Sequence, residues 1–207
     1  VYIWDDYSSD TERGTNADYI VVNNLGNTST NSRADGEERF DGNIRSAQGF
    51  FVKANSSGQT LQFSDAMKVT GNNSDAGYFR KASTTKFKFS LSNDQESKAT
   101  LIGYVSDATL AKDKAYDALH MAGSDLQFYT LMNSGEKLAI QGVPEGYAGE
   151  VLLGFATNRN TTHTIGQINV NEINQPIWLL DQYTGKSVDL TRESYTFTTE
   201  PGVFENR

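Results

Sequence analysis

Apolar residues in this chain come in short runs, and turn-forming residues separate them. The stretch "KFKFSL" (86–91) alternates strictly, with Lys86 and Lys88 on one side and Phe87 and Phe89 on the other. Successive side chains of an extended backbone point to opposite faces, so this pattern predicts a strand with one wet face and one packed face. "YTFTT" (195–199) repeats the pattern through Tyr195 and Phe197. "IWLLD" (177–181) is apolar up to its aspartate, which reads as a strand buried on both faces with Trp178 in the core. The same criteria predict strands over 19–23, 49–54, 60–63, 85–91, 99–105, 126–131, 138–141, 150–155, 162–170, 177–181 and 195–198.

Gly49 lets the backbone enter the 49–54 strand, and Phe50, Phe51 and Val52 are expected to fill a core. Leu138 and Ile140 are expected to point inward, with Gly142 and Pro144 ending their strand. "DQYTGKSVDL" (181–190) carries Thr184-Gly185 between two strand-like runs, which is a hairpin signal. Asp181 and Thr184 are expected to brace that turn through side-chain to backbone hydrogen bonds. One helix is plausible, over 111–123, where Ala115, Ala118, Leu119 and Ala122 have helical spacing; an extended loop is the alternative. Residues 23–47 are polar, with almost no apolar anchor, and read as a long exposed loop.

These elements make an all-β chain: a mostly antiparallel β-sandwich, jelly-roll-like, with at most one short helix near 111–123. A single domain over 1–207 is the simpler organisation; the alternative divides the chain at a linker-like stretch near 72–77 into small β domains over 1–76 and 77–207. No repeat of roughly 20–50 residues is evident.

Charge narrows the partners. With 18 basic against 26 acidic residues the net charge is -8, so duplex nucleic acid would be repelled. The one dense basic stretch, Arg80, Lys81, Lys86 and Lys88, reads as a solvated strand face. There is no cysteine, which excludes disulfides, thiolate metal sites and a cysteine nucleophile. No window approaches the roughly 18 consecutive apolar residues of a membrane span. "VYIWDD" (1–6) already reads like the inside of a fold, so the chain is expected to be a mature or excised part of something longer.

Candidate chemistry is sparse. The only histidines, His120 and His163, sit in dissimilar contexts, and no G-x-S-x-G elbow occurs, so both read as surface or packing residues. Glu145 with Glu150, and Asp181 with Asp189, are carboxylate pairs beside turns, where solvated or capping roles are usual. Structural calcium has two candidate sources. One is Asp5, Asp6, Asp10, Glu12, Asn16 and Asp18; the other is Asp107, Asp113, Asp117 and Asp125. Neither has the spacing of an EF-hand loop. Tyr2, Trp4 and Tyr7, with acids alongside, form a candidate aromatic platform for a glycan; an inner-face core pair of Tyr2 and Trp4 is the competing reading.

Four segments carry a family resemblance. "IRSAQGFFVKA" (44–54) resembles the I-x-x-G-Q-G-F-F-V segment of large exported proteins of Bacteroidetes, with Ala47 where that family often has glycine. "KLAIQGVPEGYAGEVLLGF" (137–155) is similar to their L-A-I-N-G-L-P…V-P-L-G-F element, with Gln141 in place of the usual asparagine. "IWLLDQYTGKSVDLTRESYTF" (177–197) resembles I-x-L-x-D-x-x-T-G-x-x-x-D-L…Y-x-F, and "GVFENR" (202–207) the start of an R-F-x-L strand. The resemblance implies a secreted or cell-surface β-sandwich that acts as a non-catalytic accessory or stalk module and supports adhesion. It also implies a type IX secretion sorting domain downstream, and through it contact with that secretion machinery. It implies no activity, because such modules accompany many functions.

Overall fold

The computed structural model describes residues 1–4, 19–29, 40, 43–44, 48–54, 56–68, 85–168, 176–205 and 207. The chain is all-β. Its strands are β1 (Tyr2–Trp4), β2 (Tyr19–Asn23), β3 (Gly26–Asn27), β4 (Phe50–Phe51), β5 (Thr85–Ser92), β6 (Ser97–Val105), β7 (Ala118–Leu119) and β8 (Leu126–Leu131). They continue with β9 (Lys137–Pro144), β10 (Leu152–Thr157), β11 (Thr161–Ile168), β12 (Trp178–Asp181), β13 (Lys186–Asp189), β14 (Tyr195–Thr199) and β15 (Gly202–Phe204).

One large sheet runs in the order β14-β11-β5-β6-β9-β8-β10-β15, with β7 also on β9. Strand β9 serves two layers. Its first residues pair with β8 (Leu131↔Lys137, Thr130↔Leu138), and its second half runs parallel to β6 (Leu101↔Ile140 to Val105↔Pro144). Two fully buried threonines mark this crossing: Thr100 Oγ1 donates to the Ala139 carbonyl at 3.0 Å and Thr130 Oγ1 to the Leu138 carbonyl at 3.4 Å. Backbone carbonyls take up both hydroxyls, which removes the cost of burying them.

The sheet thereby doubles into a sandwich, and at its far end β10 turns into β11 and β14 into β15. Asn160 Nδ2 ties those two turns together, donating to Glu200 Oε1 at 2.6 Å. Between the layers lies a mainly aromatic core of Phe87, Phe89, Ile102, Phe128, Val143, Phe155, Ile165, Tyr195 and Phe197. Phe155 stacks on Phe204 of the adjacent β15 with ring centres 4.7 Å apart, and its ring centre lies 5.4 Å from that of Phe197 on β14, so the two ends of the sheet order meet across the core. Each such ring removes roughly 2 kcal/mol worth of apolar surface from water.

A second sheet, β3-β2-β1-β4, covers the outer face of the large one. Tyr2, Val21 and Leu25 meet Leu101, Ala139 and Ile140, while Ile3, Ile20 and Val22 turn the other way towards Phe40 and Phe50. The approach is close. A Cβ on Gly103 would stand 3.0 Å from the Leu25 methyls, and one on Gly142 would stand 2.5 Å from Tyr116 Cβ.

This cover corrects several expectations. Lys88 is buried, not wet, and donates to Asn27 Oδ1 at 3.2 Å. The 23–47 stretch has apolar anchors in Leu25 and Phe40, both buried. Gly142 does not end a strand; β9 continues to Pro144. In 49–54 only Phe50–Phe51 form a strand, and Phe51 and Val52 are exposed. Residues 60–63 are not a strand; the chain there is exposed and leads to a 3₁₀ turn at Asp65–Met67.

No helix forms over 111–123. A single turn survives, in which the Asp117 N–H donates to the Asp113 carbonyl at 2.8 Å. The chain then extends to pair with β9 as β7. Pairing with an available strand edge, together with burial of Tyr116, Ala118 and Met121 beneath the N-terminal sheet, outweighs a marginal isolated helix. The linker-like stretch near 72–77 lies outside the described residues.

Candidate functional site

The inner aromatic core is capped by the β12–β13 hairpin, and local chemistry explains that element. Asp181 Oδ1 accepts the N–H groups of Tyr183 at 2.9 Å and Thr184 at 3.2 Å, as expected of a bracing aspartate. Gly185 takes φ 70°, which the turn requires, and donates to the Asp181 carbonyl at 2.7 Å. At the other end Asp189 Oδ1 accepts the Thr191 N–H at 3.0 Å and its hydroxyl at 2.6 Å. These donors, the hydroxyl first, hold the Asp189 carboxyl below the usual carboxylate range.

Leu179 and Val188 are opposite one another and face the core with Ile177 and Leu190. Trp178 and Leu180 alternate to the outside. Trp178 is 65% exposed, which corrects its expected place in the core, and Tyr183 at the turn is 81% exposed.

A buried clamp fastens the hairpin to the sandwich. Asp181 Oδ2 accepts the Tyr195 hydroxyl and Arg207 Nε, the latter at 3.1 Å. The Arg207 guanidinium also lies 4.2 Å from the Phe197 ring centre and 5.4 Å from that of Tyr183. Burial alone would raise the Asp181 carboxyl; Tyr195, the Thr184 N–H and Arg207 outweigh it and hold the group below its ordinary range.

The hairpin does not seal the core. Between it, the 147–153 loop and the inner face of the sheet lies a half-open cavity of about 630 Å³, with Phe87, Phe89, Ile102, Phe128, Ile177 and Leu179 among its walls. On the outer side a shallower groove of about 810 Å³ passes Tyr183, Asn160, Thr198, Glu200 and Val203. Thr198 belongs to an exposed hydroxyl ladder: the Oγ1 atoms of Thr162 and Thr198, and of Thr164 and Thr196, are each 3.2 Å apart.

Neither histidine has the setting of a general base. His163 is fully buried between Phe155 and Phe197, and neither ring nitrogen has a hydrogen-bond partner. Burial, and secondarily the Arg207 cation, lowers its pKa. His120 Nε2 is 3.2 Å from Gln127 Oε1, and burial pushes its pKa down to about 4. Both rings are therefore neutral at physiological pH.

The described residues expected to form sites take structural roles. Tyr2 is buried in the core under the N-terminal sheet, its hydroxyl donating to the Leu119 carbonyl at 3.2 Å. Trp4 lies on the same strand, β1; its side chain and the whole of Tyr7 fall outside the described residues, as do Asp5, Asp6, Asp10, Glu12, Asn16 and Asp18.

Among the second set of acids, Asp113 and Asp117 are neighbours. Asp113 Oδ2 accepts the Thr109 N–H at 2.5 Å; Asp117 Oδ2 accepts the Asp113 N–H at 2.7 Å and its Oδ1 the Gly142 N–H at 2.8 Å. Asp107 Oδ1 instead accepts the Ser106 hydroxyl at 3.3 Å, and Asp125 faces Arg159 at 3.7 Å. Among the described residues no group of three or more His, Asp or Glu side chains could hold a metal ion.

The exposed hairpin aromatics, Trp178 and Tyr183, had no signal in the sequence beyond the turn beside them. An apolar run does not reveal that its strand sits on a two-stranded flap.

Comparison with curated proteins and with solved structures finds no match. Residues 4–207 match the model of one family, described as a domain of unknown function (DUF8693), and the chain belongs to that family.

Proposed function

We propose that this domain is a non-catalytic accessory module of a secreted or cell-surface bacterial protein, and that it supports adhesion by holding a glycan on the exposed rings of the β12–β13 hairpin. The observation that carries the reading is the position of Tyr183, 81% exposed beside a groove that contains Asn160, Thr198 and Glu200. An open ring offers a stacking face to a pyranose, and amide, hydroxyl and carboxylate groups next to it can hydrogen-bond sugar hydroxyls. Trp178 adds a second exposed ring on the same hairpin.

The non-catalytic part rests on the histidines, one buried without partners and one bonded to an amide, and on the Asp181 and Asp189 carboxylates, which are committed to holding the hairpin. Export, and a type IX sorting signal further along the parent protein, rest on the four-segment resemblance.

Affinity gel electrophoresis over a panel of neutral polysaccharides tests the binding reading. The parent chain is expected to be retarded on at least one polymer, and Tyr183→Ala and Trp178→Ala to lose that retardation while melting normally. Free migration of the parent chain on every polymer would sink it.

A further inference from the structure

The floor of the cavity beneath the hairpin is built from inward-facing rings of the sheet. Its floor and roof are Phe87, Phe89, Ile102, Phe128, Ile177 and Leu179. Protein interiors are packed densely and leave few voids larger than a water molecule. The polar members of the lining, among them Glu150, Gln182, Ser187 and Arg207, come from the 147–151 connection, the hairpin and the C-terminal segment, whereas Phe87, Phe89, Ile102 and Phe128 of the sheet form an apolar floor. The charged groups near the cavity are largely spoken for: Asp181 holds Arg207, and Glu205 pairs with Lys137 at 2.7 Å.

At about 630 Å³ the space lies within the roughly 300–1,000 Å³ range of small-molecule sites. Polar handles stand together on its lining. Tyr104 packs edge-on against Phe87 and its hydroxyl has no partner among the described residues; Tyr147 is close enough to raise the Tyr104 pKa, after burial itself.

We propose that this cavity binds the acyl chain of an uncharged amphiphile, with the chain between the hairpin and the sheet and a carbonyl or hydroxyl oxygen accepting from Tyr104. The chemistry of the walls selects the class. Over the floor of Phe87, Phe89, Ile102 and Phe128 an alkyl chain gains from every contact, whereas a sugar laid there would lose hydrogen bonds to water without replacing them. An anionic head meets the Glu150 carboxylate on the cavity lining and the negative charge of the whole chain. Trp178 of the proposed glycan surface also lines this cavity, and Glu205 and Arg207 line both, but the two readings have separate tests: retardation on polysaccharide for the outer rings, probe enhancement for the apolar floor.

The test uses the intact chain and the neutral fluorophore N-phenyl-1-naphthylamine. The expected result is saturable, one-to-one enhancement that monolaurin displaces and laurate displaces less well. Leu179→Trp fills the cavity from the roof and should weaken probe binding about tenfold or more, while Val203→Trp, at an exposed position of β15 that does not line the cavity, should not. Val151→Trp fills it from the separate 147–153 loop and repeats the test if Leu179→Trp fails to fold. Tyr104→Phe should weaken monolaurin but not the probe. Absence of saturable binding, binding left intact by both filling variants, or failure of monolaurin to compete would overturn the proposal.

Discussion

The two covers of the large sheet obey opposite packing rules. On the outer face the N-terminal sheet and the 106–123 connection come in close, because the sheet beneath them is paved with Gly103, Gly142 and Ala139. Leu25 and Tyr116 occupy the space those missing side chains leave. On the inner face the β12–β13 hairpin meets Phe87, Phe89, Phe128 and Phe155, and a cavity remains. Small residues on β6 and β9 make a seal, and large rings on β5, β8 and β10 make a room. The outer cover is held by area, the inner one by a few polar fastenings around Asp181.

That contrast can be broken from either side. The largest effect is expected from Asp181→Ala, which leaves Arg207, the Tyr195 hydroxyl and two turn N–H groups without their acceptor. Removing one partner of a buried pair costs about 3–5 kcal/mol, readable as a fall in the denaturant midpoint. Gly142→Val tests the outer seal. Its side chain would collide with Tyr116, and overpacking of this kind costs about 1–3 kcal/mol. The matching change on the inner side, Leu179→Trp, should cost less, because there is space to receive it.

Acid sharpens the comparison further, since each cover hides one neutral histidine. His120 lies by the outer connection and His163 in the inner seam; both have folded pKa values below the unfolded value near 6.5. The unfolded chain therefore takes up protons that the folded chain refuses. Stability from these groups is complete above pH 6.5 and declines as pH falls towards their folded values, about 4 for His120. The slope is at most about 1.4 kcal/mol per pH unit for each histidine. His163→Leu should remove its share of the slope in urea melts recorded between pH 7 and 5. It should not destabilise at pH 7, since it also deletes two buried unpaired nitrogens. The smallest effect is expected from Trp178→Ala, within about 0.5 kcal/mol of the parent, because an exposed ring contributes little to the core.

Several strands were legible because their pattern is local. Residues 19–23 and 126–131 form strands with the predicted bounds, and Phe87 and Phe89 point inward as their alternation requires. What the pattern could not carry was the second cover. Lys88 looks like a solvent residue until another sheet lies across it, and Gly142 looks like a terminator until Tyr116 is seen above it. The candidate site failed to show for the converse reason. "IWLLD" has the composition of a core strand, yet only Ile177 and Leu179 pack against the core, leaving Trp178 to solvent. Periodicity reports how many faces a strand has, but a neighbour remote in the chain decides which of them is wet.

The hold of Arg207 on Asp181 also has a mechanical side. A pull on residue 207 is borne by this ion pair, which leads to the hairpin, as well as by the short ladder between β15 and β10. Load applied there acts on the flap directly through Asp181 and not only on the strands next in the chain. Tension would then bear on the part of the domain that displays Trp178 and Tyr183.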